Sequence, residues 1–228
     1  MKKILLLSVV LVFGFVSCDN KEDFDPNDPS VIDAGVVIND VRWATRNVCA
    51  PGTFADNPED AGMFYQWNRR RAWNTINIIV SGWNREAAGG PTWTAASDPC
   101  PPGWRVPTEA EIRSLHVADR EWAVKNGIVG LLFGAAPNQI FLPAVGVRSW
   151  TSGMLEREYA DYYKQGVYWS SERNRVNAWR LHFAVLRLDI VDGFDIDPDP
   201  DIDLPALYFR SMREDRRATG ASVRCVAR

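Results

Sequence analysis

Thr108-Glu-Ala-Glu111 constrains this chain more than any other stretch. A threonine followed three residues later by glutamate, just ahead of an apolar run, is a capping box. The Thr108 hydroxyl accepts from the Glu111 amide, and the Glu111 carboxylate reaches back to the start of the helix. Pro107 biases Val106 away from the helical region and sets the boundary. The spacing predicts a helix over Thr108 to Val117, with Ile112 and Leu115, and His116 or Ala118, as its buried stripe. The helix ends before Asn126-Gly127, and Trp122 packs back on the same face. Elsewhere the pattern is short β-rich runs between turn-formers. Gly35 to Trp43 reads as the first strand, and Asn138 to Ala144 and Gly166 to Ser170 as short ones. In Asn177 to Val185, Trp179, Leu181, Phe183 and Val185 fall on one face and Arg180 and His182 on the other, the period of a half-buried strand. Leu207 to Arg210 and Ala221 to Val226 complete the sheet. Met63, Tyr65 and Trp67 alternate, but Arg69-Arg-Arg71 favours a short helix or an irregular turn. Gly82 to Pro102, dense in Gly, Pro, Trp and Ala, is a long loop held by its aromatics. Short strands, one or two helices and long loops predict an α+β domain.

The N-terminus reads as a leader. Lys2 and Lys3 precede an apolar run from Ile4 to Val16 that is too short to span a bilayer, which takes roughly 20 residues. Phe15-Val-Ser-Cys18 then resembles a bacterial lipobox, the alternative being an ordinary secretory signal with an incidental cysteine. Residues 1–17 are expected to be removed as a lipoprotein signal peptide, leaving Cys18 as a lipidated end that anchors the chain without crossing the membrane. Residues 18–31 are acidic, proline-bearing and poor in apolar side chains, so they form a disordered tether. Asn20-Lys21-Glu22-Asp23 within them resembles the signal that sends Bacteroidetes lipoproteins to the outer leaflet. Residues 32–228 are enough for one domain with a proper core.

The net charge of -3 leaves no basic excess, so a nucleic-acid partner is not expected. Ten tryptophans are many for 228 residues. Half are expected in the core, and the rest are candidates for an exposed groove. Neither of the two histidines, His116 and His182, sits in a nucleophile-elbow or zinc-binding spacing. The most unusual local chemistry is the alternation Asp195, Asp197, Asp199, Asp201, Asp203. Such a loop can converge several carboxylates on calcium. It is not an EF-hand, since Pro200 stands where that loop needs glycine. The alternative is a solvated acidic loop kept extended by Pro198 and Pro200. Arg69-Arg70-Arg71 and Arg213, Arg216 and Arg217 are the basic counterweights, either surface charge or a site for acidic sugars.

Three separated segments, Asp98-Pro-Cys-Pro-Pro-Gly-Trp-Arg-Val-Pro-Thr-Glu-Ala-Glu-Ile112, Gly166-Val-Tyr-Trp-Ser-Ser171 and Gly220-Ala-Ser-Val-Arg-Cys-Val226, resemble the Fibrobacter succinogenes major paralogous domain. Trp43 to Val48, Pro51 to Ala55 and Gly62 to Asn68 add to the resemblance, which runs from about Trp43 to the C-terminus. It implies a cell-envelope domain with a C-type-lectin-like fold, distantly related to the formylglycine-generating-enzyme domain. It also implies a Cys100–Cys225 disulfide, which an oxidising compartment permits. Cys49 is then left over, as a buried free thiol or, alternatively, as a partner of Cys100 or Cys225. Gly103 to Glu111 is similar to a segment of the formylglycine-generating enzymes, but there it is a cap and core element. The redox cysteine pair those enzymes need is absent, and so are the Glu-Pro-Asn and Trp-Asn-Asp motifs of calcium-dependent lectins. The expectation is therefore a non-enzymatic lipoprotein on the outer membrane. It would bind a glycan, or an envelope or host protein, through its long loops, with calcium as the candidate cofactor. The alternative is a structural or tip subunit of a pilus-like surface assembly.

Overall fold

The computed structural model describes residue 25 and residues 28–159, 163–186 and 208–228. Strands dominate it: about 39% of the chain is strand and 5% helix. The α+β, C-type-lectin-like expectation is thereby corrected. Among the described residues there is one helix, α1, Glu109–Val117, set among antiparallel sheets. The cause is a pair of two-residue turns that make hairpins, one where the sequence reads as a single strand and one where it reads as the tail of the helix. Asn39 and Asp40 both have positive φ, 50° and 63°, and fold Val36–Ile38 onto Val41–Trp43. Asn126 and Gly127, at 47° and 77°, fold Arg120–Lys125 onto Ile128–Phe133. Backbone with positive φ at both central residues suits the right-handed twist of a tight hairpin, and Asn and Gly accept it most easily. Asn126-Gly127 is thus a hairpin turn and not a helix stop, and Trp122 lies in a strand. The arginine run is also a turn, between the paired strands Phe64–Gln66 and Ala72–Trp73.

Four sheets result. One joins Val36–Ile38, Val41–Trp43, Val226–Ala227 and Trp104–Arg105. A second runs Leu155–Glu156, Val147–Arg148, Gly220–Ala221, Phe64–Gln66, Ala72–Trp73. The third holds the long antiparallel strands Tyr163–Asn174, Asn177–Leu186 and Tyr208–Arg216, with Glu158–Tyr159 at its edge. The fourth is the Arg120–Phe133 hairpin plus Ile140–Pro143.

Helix α1 starts as its sequence requires. The Thr108 hydroxyl accepts from the Glu111 amide at 3.2 Å, and the Glu111 carboxylate accepts from the Thr108 amide at 2.7 Å. Arg105 clamps the same carboxylate at 2.6 and 2.8 Å, which helps hold Glu111 below its ordinary pKa although burial pushes the other way. Ile112, Leu115 and Ala118 pack into a cluster with Leu131, Phe133, Tyr168, Leu181 and Phe183. A second cluster gathers Trp67, Trp93, Trp104 and Trp169 around Cys100 and Cys225. The half-buried reading of Asn177–Leu186 is corrected: this is a middle strand, and His182 is only 1% exposed between its strand neighbours Val167 and Ser211.

The segment 218–226 is buried throughout and ties the sheets together. Gly220–Ala221 pairs with Phe64–Gln66 and Val147–Arg148, and Val226–Ala227 with Trp43 and Trp104–Arg105. Between them Ser222 bridges Tyr168: its amide donates to Val167 O at 3.0 Å, and Trp169 N donates back at 3.1 Å. Arg224 is buried with three carbonyl-type acceptors, the Asn47 side chain, Ala44 O and Phe141 O. Burial lowers its pKa to about 10, so it stays charged at neutral pH.

Cys225 bonds Cys100, with the two Cα atoms 6.1 Å apart. The three segments that carried the family resemblance therefore meet in one place, since Ser171 N also donates to Pro107 O at 2.6 Å. Cys49 is not the free thiol expected. It is disulfide-bonded, to a partner outside the described residues, and pairing with Cys100 or Cys225 is excluded because those two hold each other. Residues 28–31 turn and dock on the domain, with Phe54 N donating to Ser30 O.

Replacing Cys100 and Cys225 together by alanine should cost about 4 kcal/mol, because the bridge closes so long a loop. Denaturant unfolding reads this as a lower midpoint with a steeper slope, since the uncrosslinked chain unfolds further; a loss below about 1 kcal/mol would show that the sheet pairings alone hold the segment. Thr108→Ala should cost about 1 kcal/mol, and an unchanged midpoint would contradict the role given to the cap.

Candidate functional site

The turn between Phe64–Gln66 and Ala72–Trp73 presents Arg69, Arg70 and Arg71 beside the long loop 82–102. Asn68 enters the turn with φ 54° and ties it to that loop. Its side chain donates to Gly89 O at 2.9 Å and accepts from Thr94 N at 2.8 Å. Gln66 donates to Asn84 O at 2.5 Å and Ala218 O at 2.8 Å. Each arginine is oriented by one main-chain carbonyl: Arg69 by Glu86 at 3.3 Å, Arg70 by Asp98 at 2.6 Å, Arg71 by Gly82 at 3.5 Å. Arg71 also lies over the Trp73 ring at 4.1 Å, and Trp73 packs on Trp83 at 4.7 Å. The three arginines, Gln66, Asn68, Trp73, Asn84 and Ser97 line an open basin of about 350 Å³.

A second hollow of about 350 Å³ lies on the other side of Arg70, over the Cys100 segment. Asp98 lines it. Its carboxylate accepts from Cys100 N at 2.9 Å and Val106 N at 3.3 Å, with Arg228 3.7 Å away. Burial raises its pKa despite these partners. Asp98 is thus a structural hinge-pin for the Asp98-Pro-Cys100 turn, its oxygens committed to the main chain.

Arg148 organises the neighbouring face. It is fully buried and donates to Asn74 O, Asn77 O and Gly153 O at 2.6 to 2.8 Å. One guanidinium thereby fixes two loops. On their outer side Ile76, Ile78, Ile79, Trp150 and Met154 are exposed, Ile79 at 77%. Arg216 lies 5.2 Å from the Trp150 ring, and Trp83 donates to Trp150 O. No motif in the sequence marks this face. Its signal was the Asn74-Thr-Ile-Asn-Ile-Ile-Val80 run, apolar yet rich in turn-forming asparagine.

Of the residues singled out from sequence, Cys100 and Cys225 are brought together. Cys18 and Asp195, Asp197, Asp199, Asp201 and Asp203 lie outside the described residues. Among the described residues no group of three or more His, Cys, Asp or Glu side chains could hold a metal ion, and no helix is long and apolar enough to cross a membrane. His182 and His116 are far from forming a catalytic pair with each other's surroundings: His182 is walled in by its sheet, and His116 closes the last turn of α1.

Burial, then the charges of Arg180 and Arg213, push the His182 pKa down to about 3. The imidazole stays neutral in the folded protein while the unfolded chain takes up its proton below about pH 6.5. Its contribution is complete above that pH and is lost as pH falls toward 3, by up to about 1.4 kcal/mol per pH unit. Asp98, raised by burial, acts in the opposite sense and favours folding as pH falls. His182→Gln should therefore flatten the decline in unfolding free energy between pH 7 and pH 5. Parallel curves for the two proteins would show that His182 does not set it.

Comparison with protein-family models, with curated proteins and with solved structures gives no match to this chain.

Proposed function

We propose that this chain is a non-catalytic binding protein of the bacterial cell surface. It is held to the outer membrane by lipid at Cys18 and takes a glycan, or an envelope or host protein, on its loops. The arginine–tryptophan basin carries the reading. Its walls are fixed by hydrogen bonds between neighbouring loops, so the site is formed before a ligand arrives, which lowers the cost of binding. Its lining offers guanidinium, amide and hydroxyl donors beside a ring, and contains no Asp, Glu, His or Cys to move a proton. The resemblance to the Fibrobacter succinogenes major paralogous domain supports an envelope location, and it rests on core segments and says nothing of the ligand.

A second reading, a structural or tip subunit of a surface assembly, is favoured by the exposed Ile76, Ile78, Ile79, Trp150 and Met154 face, which is apolar enough to seat a neighbouring subunit.

An array of glycans and envelope proteins probed with the purified protein tests the first reading: reversible capture without turnover is expected, weakened by substitutions in the basin. Capture that survives those substitutions but is lost on Ile78→Asp and Ile79→Asp would favour the second. The anchor has its own test. Acylation would commit the Cys18 sulfur to a thioether, so in the lipidated protein Cys49 would be a thiol and not the disulfide it forms in the unprocessed chain. Cys18→Ser should release the protein from membranes. Recovery of a Cys18–Cys49 linked peptide from the membrane-bound protein would exclude the lipid.

A further inference from the structure

We infer that the ligand of the basin carries an oxyanion, the sulfate ester or uronic carboxylate of an acidic saccharide, gripped by Arg69, Arg70 and Arg71. The inference rests on the binding reading above and adds the chemical class of the ligand.

The contrast among the arginines leads to it. Arg46, Arg105, Arg113 and Arg180 each hold a carboxylate, and the guanidiniums of Arg148 and Arg224 are buried and satisfied by carbonyl-type oxygens. Arg69, Arg70 and Arg71 belong to neither group; Arg42 and Arg157 also lack a carboxylate, but each stands alone, whereas these three are consecutive and line one basin. No carboxylate among the described residues comes within ion-pair distance of any of them. A guanidinium has five N–H donors, and each of these three spends only one hydrogen bond on the fold, to a carbonyl that aims it. The buried Nε of Arg69 has no acceptor at all. Three positive charges are thus held side by side with most of their donors unspent, in a chain whose net charge is negative.

Such an arrangement costs folding energy through mutual repulsion and is relieved by an anion with several oxygens. The planar fork of arginine matches a carboxylate or sulfate two bonds at a time. Ser97 at the rim adds a hydroxyl suited to a sugar, and the Trp73 ring backs Arg71 in the wall. A nucleic acid would require a wider basic surface than one basin in an acidic protein.

The test measures binding of dextran sulfate, polygalacturonate, uncharged dextran, inorganic sulfate and single-stranded DNA to the purified full chain. It is repeated with Arg69→Gln, Arg70→Gln and Arg71→Gln. Arg70 and Arg71 are exposed, so their loss leaves the fold intact if Arg69→Gln does not. Arg113→Gln, an arginine already paired with Glu109 on α1, is the control. Dextran sulfate or polygalacturonate should bind, weaken with salt, and lose about tenfold in affinity with each basin variant, or about 1.4 kcal/mol, while the control stays unchanged. Uncharged dextran binding as tightly would overturn the oxyanion and leave the binding reading standing. Anionic binding indifferent to all three substitutions would overturn the basin as its site. Preference for inorganic sulfate or for DNA over every saccharide would overturn the saccharide. Absence of binding to any probe would overturn the inference, while protein capture on the array would still uphold the broader reading.

Discussion

Burial of the segment 218–226 is the constraint on which the other parts of this fold depend. The sheets are short, several of them two or three residues per strand, and none would be stable alone in water. Two of the four take a strand from this one extended stretch, and a third meets it at the Tyr168–Ser222 bridge. Its main chain spends amides and carbonyls on partners from Ala44, Val48, Tyr65, Val167 and Trp169. Its side chains enter the tryptophan cluster on one side and the Asn47–Arg224–Phe141 hydrogen bonds on the other. A buried guanidinium costs several kcal/mol unless its donors are met. Arg224 meets that cost with acceptors from the Ala44–Asn47 segment and from the Ile140–Pro143 strand, and so fixes their relative position.

The same accounting separates the arginines that build the molecule from those that serve it. Arg148 and Arg224 are enclosed and saturated, and each pins loops that would otherwise carry unpaired carbonyls. The run Arg69-Arg70-Arg71 is aimed and unsaturated. Nothing in local sequence distinguishes Val-Arg148-Ser from Asn-Arg69-Arg. The difference appears only when the partners, seventy or more residues away in the case of Asn74 and Arg148, are in place.

What could be read in advance follows from how local each cause is. The cap of α1 is written within four residues, and it stands as read. Ile140–Pro143 is short, apolar and bounded by turn-formers, and it too is where the pattern put it. The disulfide came through the family resemblance and not from spacing. The fold class failed because Gly35 to Trp43 reads as one strand straight through Asn39-Asp40 and Asn126-Gly127 reads as the stop after the helix, though Asn-Gly between β-prone runs is a strong hairpin signal. His182 was misplaced for a different reason. Alternation identifies a strand with one wet face, and a middle strand covered on both sides gives the same period. The basin was legible as residues and illegible as a site, because the loop that aims Arg69 and Arg71 carries no motif of its own.

A consequence follows for the order of events in making this protein. Residues 220–226 are synthesised after every strand they join, and their partners lie between about fifty and one hundred and eighty positions upstream. The emerging chain can form α1 and the Arg120–Phe133 hairpin, whose contacts are near in sequence, but the sheets around Trp43, Tyr65 and Arg148 have no centre until that stretch arrives. Folding is therefore a late, single closing event of high contact order. Until it occurs the tryptophans clustered around Cys100 lack the segment that covers them.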